Sequence, residues 1–205
     1  MGMNNITKKC FLIFLLFFSM INFAFSQNTQ KADSLKALLK TSKEDTHKVN
    51  LFNSIVWIYN NSEPDIALEY AGKGLELSEK LNFIKGVARS SYILGDVHNE
   101  KGNYDAALNH LNKSVDIYRS LNLRNATALP LLNIGNNHFY RGNYSTALEF
   151  YIEASKIFEE AGNTTRLYGT LSNIAVIYQH QNNDAKALEY FNKSLKVQEK
   201  IGNKY

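Results

Sequence analysis

The chain has 205 residues, with 23 Lys and Arg against 19 Asp and Glu, a net charge of +4 and one cysteine. That basic excess is too slight to build a nucleic-acid surface, so no nucleic acid is expected as a partner. A lone cysteine excludes an internal disulfide and a multi-thiolate metal site.

The first element is a leader. Lys8 and Lys9 precede Phe11 to Phe25, an uncharged run dominated by Phe, Leu and Ile that closes with Ala24-Phe25-Ser26. The order basic, apolar, small is that of a secretory signal peptide, and this run falls short of the about 20 residues that span a bilayer. We therefore expect a signal peptide over 1–26, cleaved after Ser26, and an exported chain on the periplasmic or extracellular face. The alternative is an uncleaved N-terminal anchor. Cleavage removes Lys8, Lys9 and Cys10, which takes the charge from +4 to +2 and leaves a chain without a thiol. Cys10 precedes the apolar run, whereas a lipoprotein cysteine would follow it. No second apolar run of membrane-spanning length follows, and the mature part reads as soluble.

Residues 27–46 contain "ADSLKALLK", Ala32 to Lys40, an incomplete helix suited to capping what comes next. From His47 the chain repeats itself every forty residues. "GNYDAALNHL" at Gly102 returns as "GNYSTALEFY" at Gly142. The rows are 47–86, 87–126, 127–166 and 167–205. Ala67, Ala107, Ala147 and Ala187 share one column, and Leu68, Leu108, Leu148 and Leu188 the next. Gly74, Ser114, Ala154 and Ser194 form a second small column, and Leu77, Ile117, Ile157 and Val197 an apolar one. Steps of three and four mark helices with one buried face, and a period between about 20 and 50 residues marks a solenoid. The small columns lie on one face of the second helix, where they let the helices approach to about 8 Å.

Each row reads as two helices. The first is short, as from Ser91 to Lys101, and stops at Gly102-Asn103, Gly142-Asn143 or Asn182-Asn183. The second runs from near Tyr104 to Leu121 and stops at Asn122, with Gly162-Asn163 and Gly202-Asn203 in the later rows. Gly and Asn both tolerate the left-handed conformation that ends a helix. Pro64 falls at a second-helix start and Pro130 in the opening turn of a first helix, where a missing N–H costs little. Columns Leu188, Phe191, Leu195 and Val197 of the last helix carry no polar replacement. The array is therefore expected to continue beyond Tyr205 rather than end in a cap.

Small-Leu-Gly followed by an aromatic, then Ala and an aromatic, resembles the tetratricopeptide repeat. The matching residues are Leu94-Gly95 with Ala107, Ile134-Gly135 with Ala147 and Tyr151, and Ile174-Ala175 with Tyr178, Ala187 and Phe191. Two features depart from the family pattern. The period is forty against the usual about 34, which implies longer helices. The first row is degenerate, with one residue fewer between Ile55-Val56 and Ala67. The resemblance implies an all-α, right-handed superhelical solenoid of antiparallel helix pairs. It also implies a concave groove lined by first helices. Carried onto this sequence, the groove residues are Asn53, Trp57, Arg89, Tyr92, Asp96, Asn99, Leu132, Asn136, Tyr140 and Gln179. Exported arrays of this kind resemble the sensory regions of bacterial histidine kinases, cyclases and transcriptional regulators. The family's lysine clamp for a C-terminal carboxylate is not expected, because Tyr92, Leu132 and Gly169 occupy its places.

The residues themselves offer no catalytic constellation. His47, His98, His110, His138 and His180 show no metal-ligand spacing, and the glycines of "KGNYD" and "RGNYS" stop helices rather than cradle phosphates. No enzyme activity, cofactor or metal is expected in these 205 residues. The expected partner is a protein or peptide, because rings offer area and Asn side chains bond a peptide backbone. Membrane association would come through sequence beyond Tyr205 or through an uncleaved leader. A free-standing secreted adaptor, and the regulatory arm of an enzyme whose catalytic domain lies beyond Tyr205, are the alternatives to a signalling region.

Overall fold

A residue with positive φ recurs every twenty positions, and it sets the geometry of the molecule. Asn82, Gly102, Asn122, Gly142, Gly162 and Asn182 have φ between 52° and 75°. Each follows a helix, and each carries the same pair of backbone hydrogen bonds. The Gly102 N–H donates to the Asn99 carbonyl and the Asn103 N–H to the His98 carbonyl, both at 2.9 Å. This is the Schellman arrangement, in which a left-handed residue lets the last carbonyls find donors. The stops at 102, 142, 182, 122 and 162 are thus as expected. Gly202 lies at the end of the last helix, and Asn203 lies outside the described residues.

The structure, a computed structural model, describes residues 30–60 and 62–202. The leader expected over 1–26 lies outside them. Helix α1 is described over 30–41. After it come α2 (Thr46–Tyr59), α3 (Pro64–Lys80), α4 (Ile84–Glu100) and α5 (Tyr104–Ser120). Then follow α6 (Arg124–Tyr140), α7 (Tyr144–Glu160), α8 (Thr164–His180) and α9 (Asp184–Gly202). The described residues are helices and turns without strands, an all-α solenoid of antiparallel helix pairs.

The forty-residue period is twice a unit of one helix and one turn. Helices α3 to α8 are each 17 residues long. In α4–α5 and α6–α7 first and second helices are therefore equal in length, which corrects the short first helix read from Ser91. The sequence reading missed the first two turns because α4 opens on Ile-Lys-Gly without a side-chain cap. Gly86 is needed there, since the Phe83 ring lies where its Cβ would stand. The same extension moves Pro130 from an opening turn to the interior of α6, seven residues in. Its missing N–H leaves the Ala126 carbonyl, in the first turn, without its helical donor. Pro64 does open α3. The degenerate first row shows as an early end of α2, where Asn60 stays right-handed at φ −50°.

The small columns make the crossings. Ala67, Ala107, Ala147 and Ala187 are buried, as are Gly74, Ser114, Ala154 and Ser194. At Gly95 an added Cβ would stand 2.5 Å from the Leu111 side chain. One hydrophobic core runs through the array from Val56 to Ala187. The last helix differs from its inner counterparts. Phe191 is 39 % exposed where Tyr151 is 2 %, and Leu188 is 63 % exposed. Among the described residues no helix is long and apolar enough to cross a membrane.

Helix proximity defines the inner side of the curve. Beyond the neighbours in sequence, α2 packs against α4 and α4 against α6, and no two second helices approach comparably. The first helices α2, α4 and α6 thus stand side by side on the tighter, concave side.

Candidate binding groove

Polar side chains on the first helices form a ladder that crosses repeat boundaries. The Asn60 amide donates to Asp96 Oδ2 at 3.5 Å, and Asn133 Nδ2 donates to Asp96 Oδ1 at 2.6 Å. Asn136 Nδ2 donates to Asn133 Oδ1 at 3.3 Å, and the Tyr151 hydroxyl donates to Asn136 Oδ1 at 2.8 Å. The ladder therefore links α2, α4, α6 and α7. Burial pushes the Asp96 carboxyl up to about 6, against the hydrogen bond from Asn133, which favours the ionised form. Burial likewise pushes the Tyr92 and Tyr151 hydroxyls above the usual phenol range.

Beneath it lies a second, buried set. Asn99 Nδ2 donates to the Asn133 carbonyl at 2.9 Å. Asn137 Nδ2 donates to Asn99 Oδ1 at 2.7 Å and to the Tyr104 carbonyl at 2.8 Å. Buried amides of this kind fix the register between repeats, since a shifted neighbour would leave them without partners.

Several residues placed in the groove by family position are therefore structural. Asn53, Asn99, Leu132 and Tyr92 are buried. Asn53 accepts from Ser90 Oγ at 3.3 Å, and Asn99 belongs to the buried amide set. Arg89 and Gln179 are exposed, and Asp96 is held by the ladder. Trp57 is 48 % exposed and leans on Tyr92 with ring centroids 6.3 Å apart.

Asn136 and Tyr140 do come together, in a cleft of about 80 Å³ between α6 and α8. Phe139, Tyr151, Asn173 and Val176 complete its lining. Tyr140 is 60 % exposed, yet its ring stacks on Tyr104 at 6.3 Å and meets Phe139 edge-on at 5.9 Å. Phe139 in turn touches Tyr144 and His180, whose rings stack at 4.9 Å. The cleft thus offers two carboxamides, two hydroxyls and braced rings. Asn133 and Asn173 were missed by the sequence reading. They share one column, as Asp96 and Asn136 share another, and scanning columns for recurrent amides would have found them.

No group of three His, Cys, Asp or Glu among the described residues could hold a metal ion. The cleft presents amides that donate and accept, and ring faces.

Fold and groove together define a helical-repeat solenoid with a first-helix concave face. Residues 88–121 and 126–200 match models of the tetratricopeptide repeat. The chain belongs to the tetratricopeptide-repeat family.

A comparison with curated protein sequences finds no match. Among solved structures, the apo form of RapI is 22 % identical, with a TM-score of 0.76 over 94 % of this chain and 72 % of that one. A Rap protein complexed with competence and sporulation factor is 19 % identical, with a TM-score of 0.76 over 87 % of this chain and 51 % of that one. A STAND-type signal transduction ATPase with a tetratricopeptide repeat sensor, from Pyrococcus horikoshii, is 22 % identical, with a TM-score of 0.74 over 91 % of this chain and 29 % of that one. The chain thus spans about half of the complexed Rap protein and less of the ATPase. At these identities the likeness is one of fold.

Proposed function

We propose that the chain is a non-catalytic scaffold that binds an extended peptide or protein segment along its concave face. The observation that carries this reading is the α6–α8 cleft, where Asn136, Asn173 and Tyr140 converge on ordered surroundings. A carboxamide matches a peptide group donor for donor and acceptor for acceptor, and a braced ring binds at small entropic cost. The ladder from Asn60 to Tyr151 holds Asn136 in place, and Tyr104 and Phe139 brace Tyr140, before a ligand arrives, which lowers the cost of binding. A Rap protein of the same fold has been crystallised with competence and sporulation factor.

We also propose that the chain is the exported sensory region of a bacterial signalling protein. The leader composition at Lys8 to Ser26 supports export, and the Pyrococcus ATPase carries a repeat array described as a sensor. N-terminal sequencing of the secreted product tests the cleavage after Ser26. The codons after Tyr205 test the signalling role: a membrane span followed by an output domain supports it, and a stop codon favours the free adaptor.

The groove itself is tested with a peptide selected from a random display library. Calorimetry should show Tyr140→Ala and Asn173→Ala each weakening it by about 1 kcal/mol or more. Equal affinity in both, with folding intact, would move the site elsewhere. Tyr92 is unsuited to this test, because its ring is buried in the core.

A further inference from the structure

The second helices are tied together across their exposed surface by ion pairs 34 residues apart. Lys113 of α5 reaches Glu79 of α3 at 2.8 Å, and Arg119 of α5 reaches Glu153 of α7 at 3.0 Å. The next pair in this register would join Glu159 of α7 to Lys193 of α9. That rung is open. Lys193 turns instead to Glu189, one turn back on its own helix, at 2.6 Å.

At the open rung lies a cavity of about 440 Å³ between α7, α8 and α9. Its floor is apolar, formed by Ile152, Leu167, Leu171, Tyr190 and Val197. Leu167 and Leu171 are buried, so the floor is part of the core. Its rim is cationic: Lys156, Lys193 and Lys196 stand against the single carboxylate of Glu159.

Comparison with the preceding repeat shows a net shift toward cationic charge, even though Glu159 stands where Arg119 stood and Ser155 where Val115 stood. Forty residues earlier, the positions of Ile152 and Leu167 are held by Asn112 and Thr127. Lys156 replaces Asp116, and Lys193 replaces Glu153. The earlier groove balances Asp116 and Glu153 against Arg119 and Lys156 and is bridged by an ion pair. The later one gains two apolar floor residues for the one lost at Ser155, and its rim carries three lysines against one carboxylate.

We propose that the α7–α8–α9 groove is a binding site for a small anionic amphiphile, an acid group on an apolar chain or ring. The apolar body lies on Leu167 and Leu171, and the acid meets Lys193 and Lys196. A cavity of this size falls within the about 300–1,000 Å³ of small-molecule sites. A folded partner would need a far larger face. Freeing Lys193 from Glu189 costs little, since exposed ion pairs contribute about 0–1 kcal/mol.

The test is calorimetric titration of the purified chain with decanoate and with 1-decanol. We expect one saturable decanoate site, at least about tenfold tighter than for the alcohol, as an added charge-assisted hydrogen bond gives. The double variant Lys193→Gln/Lys196→Gln should lose about tenfold in decanoate affinity while folding normally. Ile152→Asn restores the residue that the preceding repeat carries at this place, and it should weaken binding too. Tyr140→Ala, on the concave face, should leave decanoate binding unchanged. Absence of a saturable site, equal affinity for acid and alcohol, or full affinity in both groove variants would each overturn the proposal.

Discussion

The ring of Tyr151 lies across the backbone of Gly135, so that a Cβ added there would stand 2.5 Å from Tyr151 Cδ1. The second helix can approach the first only because position 135 has no side chain. The same approach puts the Tyr151 hydroxyl on Asn136 and so completes the polar ladder. Core geometry and groove geometry are set by one contact.

Gly135→Ala should therefore destabilise the fold by about 1–3 kcal/mol, the usual cost of overpacking. Gly72→Ala is the control, because nothing stands within 4 Å of its Cβ position. There alanine should stabilise the helix by roughly 0.5–1 kcal/mol. Urea denaturation of the two variants reads both signs, and equal effects would refute the close approach.

Asp96 is held by Asn60 and Asn133 but sits in surroundings that disfavour its charge, with its carboxyl raised from 3.8 to about 6. Between these values the native state binds more protons than the unfolded chain. The contribution is present below pH 3.8 and lost as the pH rises through about 6. Asp96→Asn should thus stabilise the protein at neutral pH, on the order of 1–2 kcal/mol, and much less near pH 4. The Asn60 Oδ1 atom is buried without a protein partner, so turning that amide would satisfy the new NH₂ group. Denaturation at the two pH values checks the difference, and a variant less stable at neutral pH would contradict it.

The imidazoles of His98 and His110 stack at 5.6 Å with 4° between their planes. Burial lowers the pKa of both. Lys101 adds to this for His98, as His98 and Lys113 do for His110. Lowered histidines give stability that is complete above the unfolded value of 6.5 and lost as the pH falls below it. Each proton costs at most about 1.4 kcal/mol per pH unit. His110→Phe reproduces the ring pair that His138 makes with Phe150 one repeat later, at 5.7 Å and 4°. It should remove part of the stability lost between about pH 7 and about pH 5. Thermal melts at those two values decide it, and an unchanged acid loss would count against the pair.

How much of this was legible in the sequence follows from the kind of signal each feature leaves. Ala107 and Ala147 recur because helix crossings demand small residues, so the repeat and its fold could be read directly. Gly102 and Asn122 mark helix ends because few residues tolerate positive φ. The start of α4 left no such mark, since Phe83 caps nothing through its side chain and instead packs on Gly86. The groove was legible only in part. Trp57, Asn136 and Tyr140 are accessible, but family position could not say how much of each first helix its neighbours cover. Tyr92 and Leu132 fell on the core side of that boundary. Asn173 lies outside the family's groove positions, and only its recurrence with Asn133 in one column marks it.

A ligand lying along the first helices leaves a footprint there. Amide chemical-shift mapping of the chain with a display-selected peptide locates the contact residue by residue. The largest changes are expected at Asn136, Phe139, Tyr140, Asn173 and Val176, with smaller ones along α4. Changes confined to α5, α7 and α9, with the α6–α8 cleft unaffected, would contradict the account.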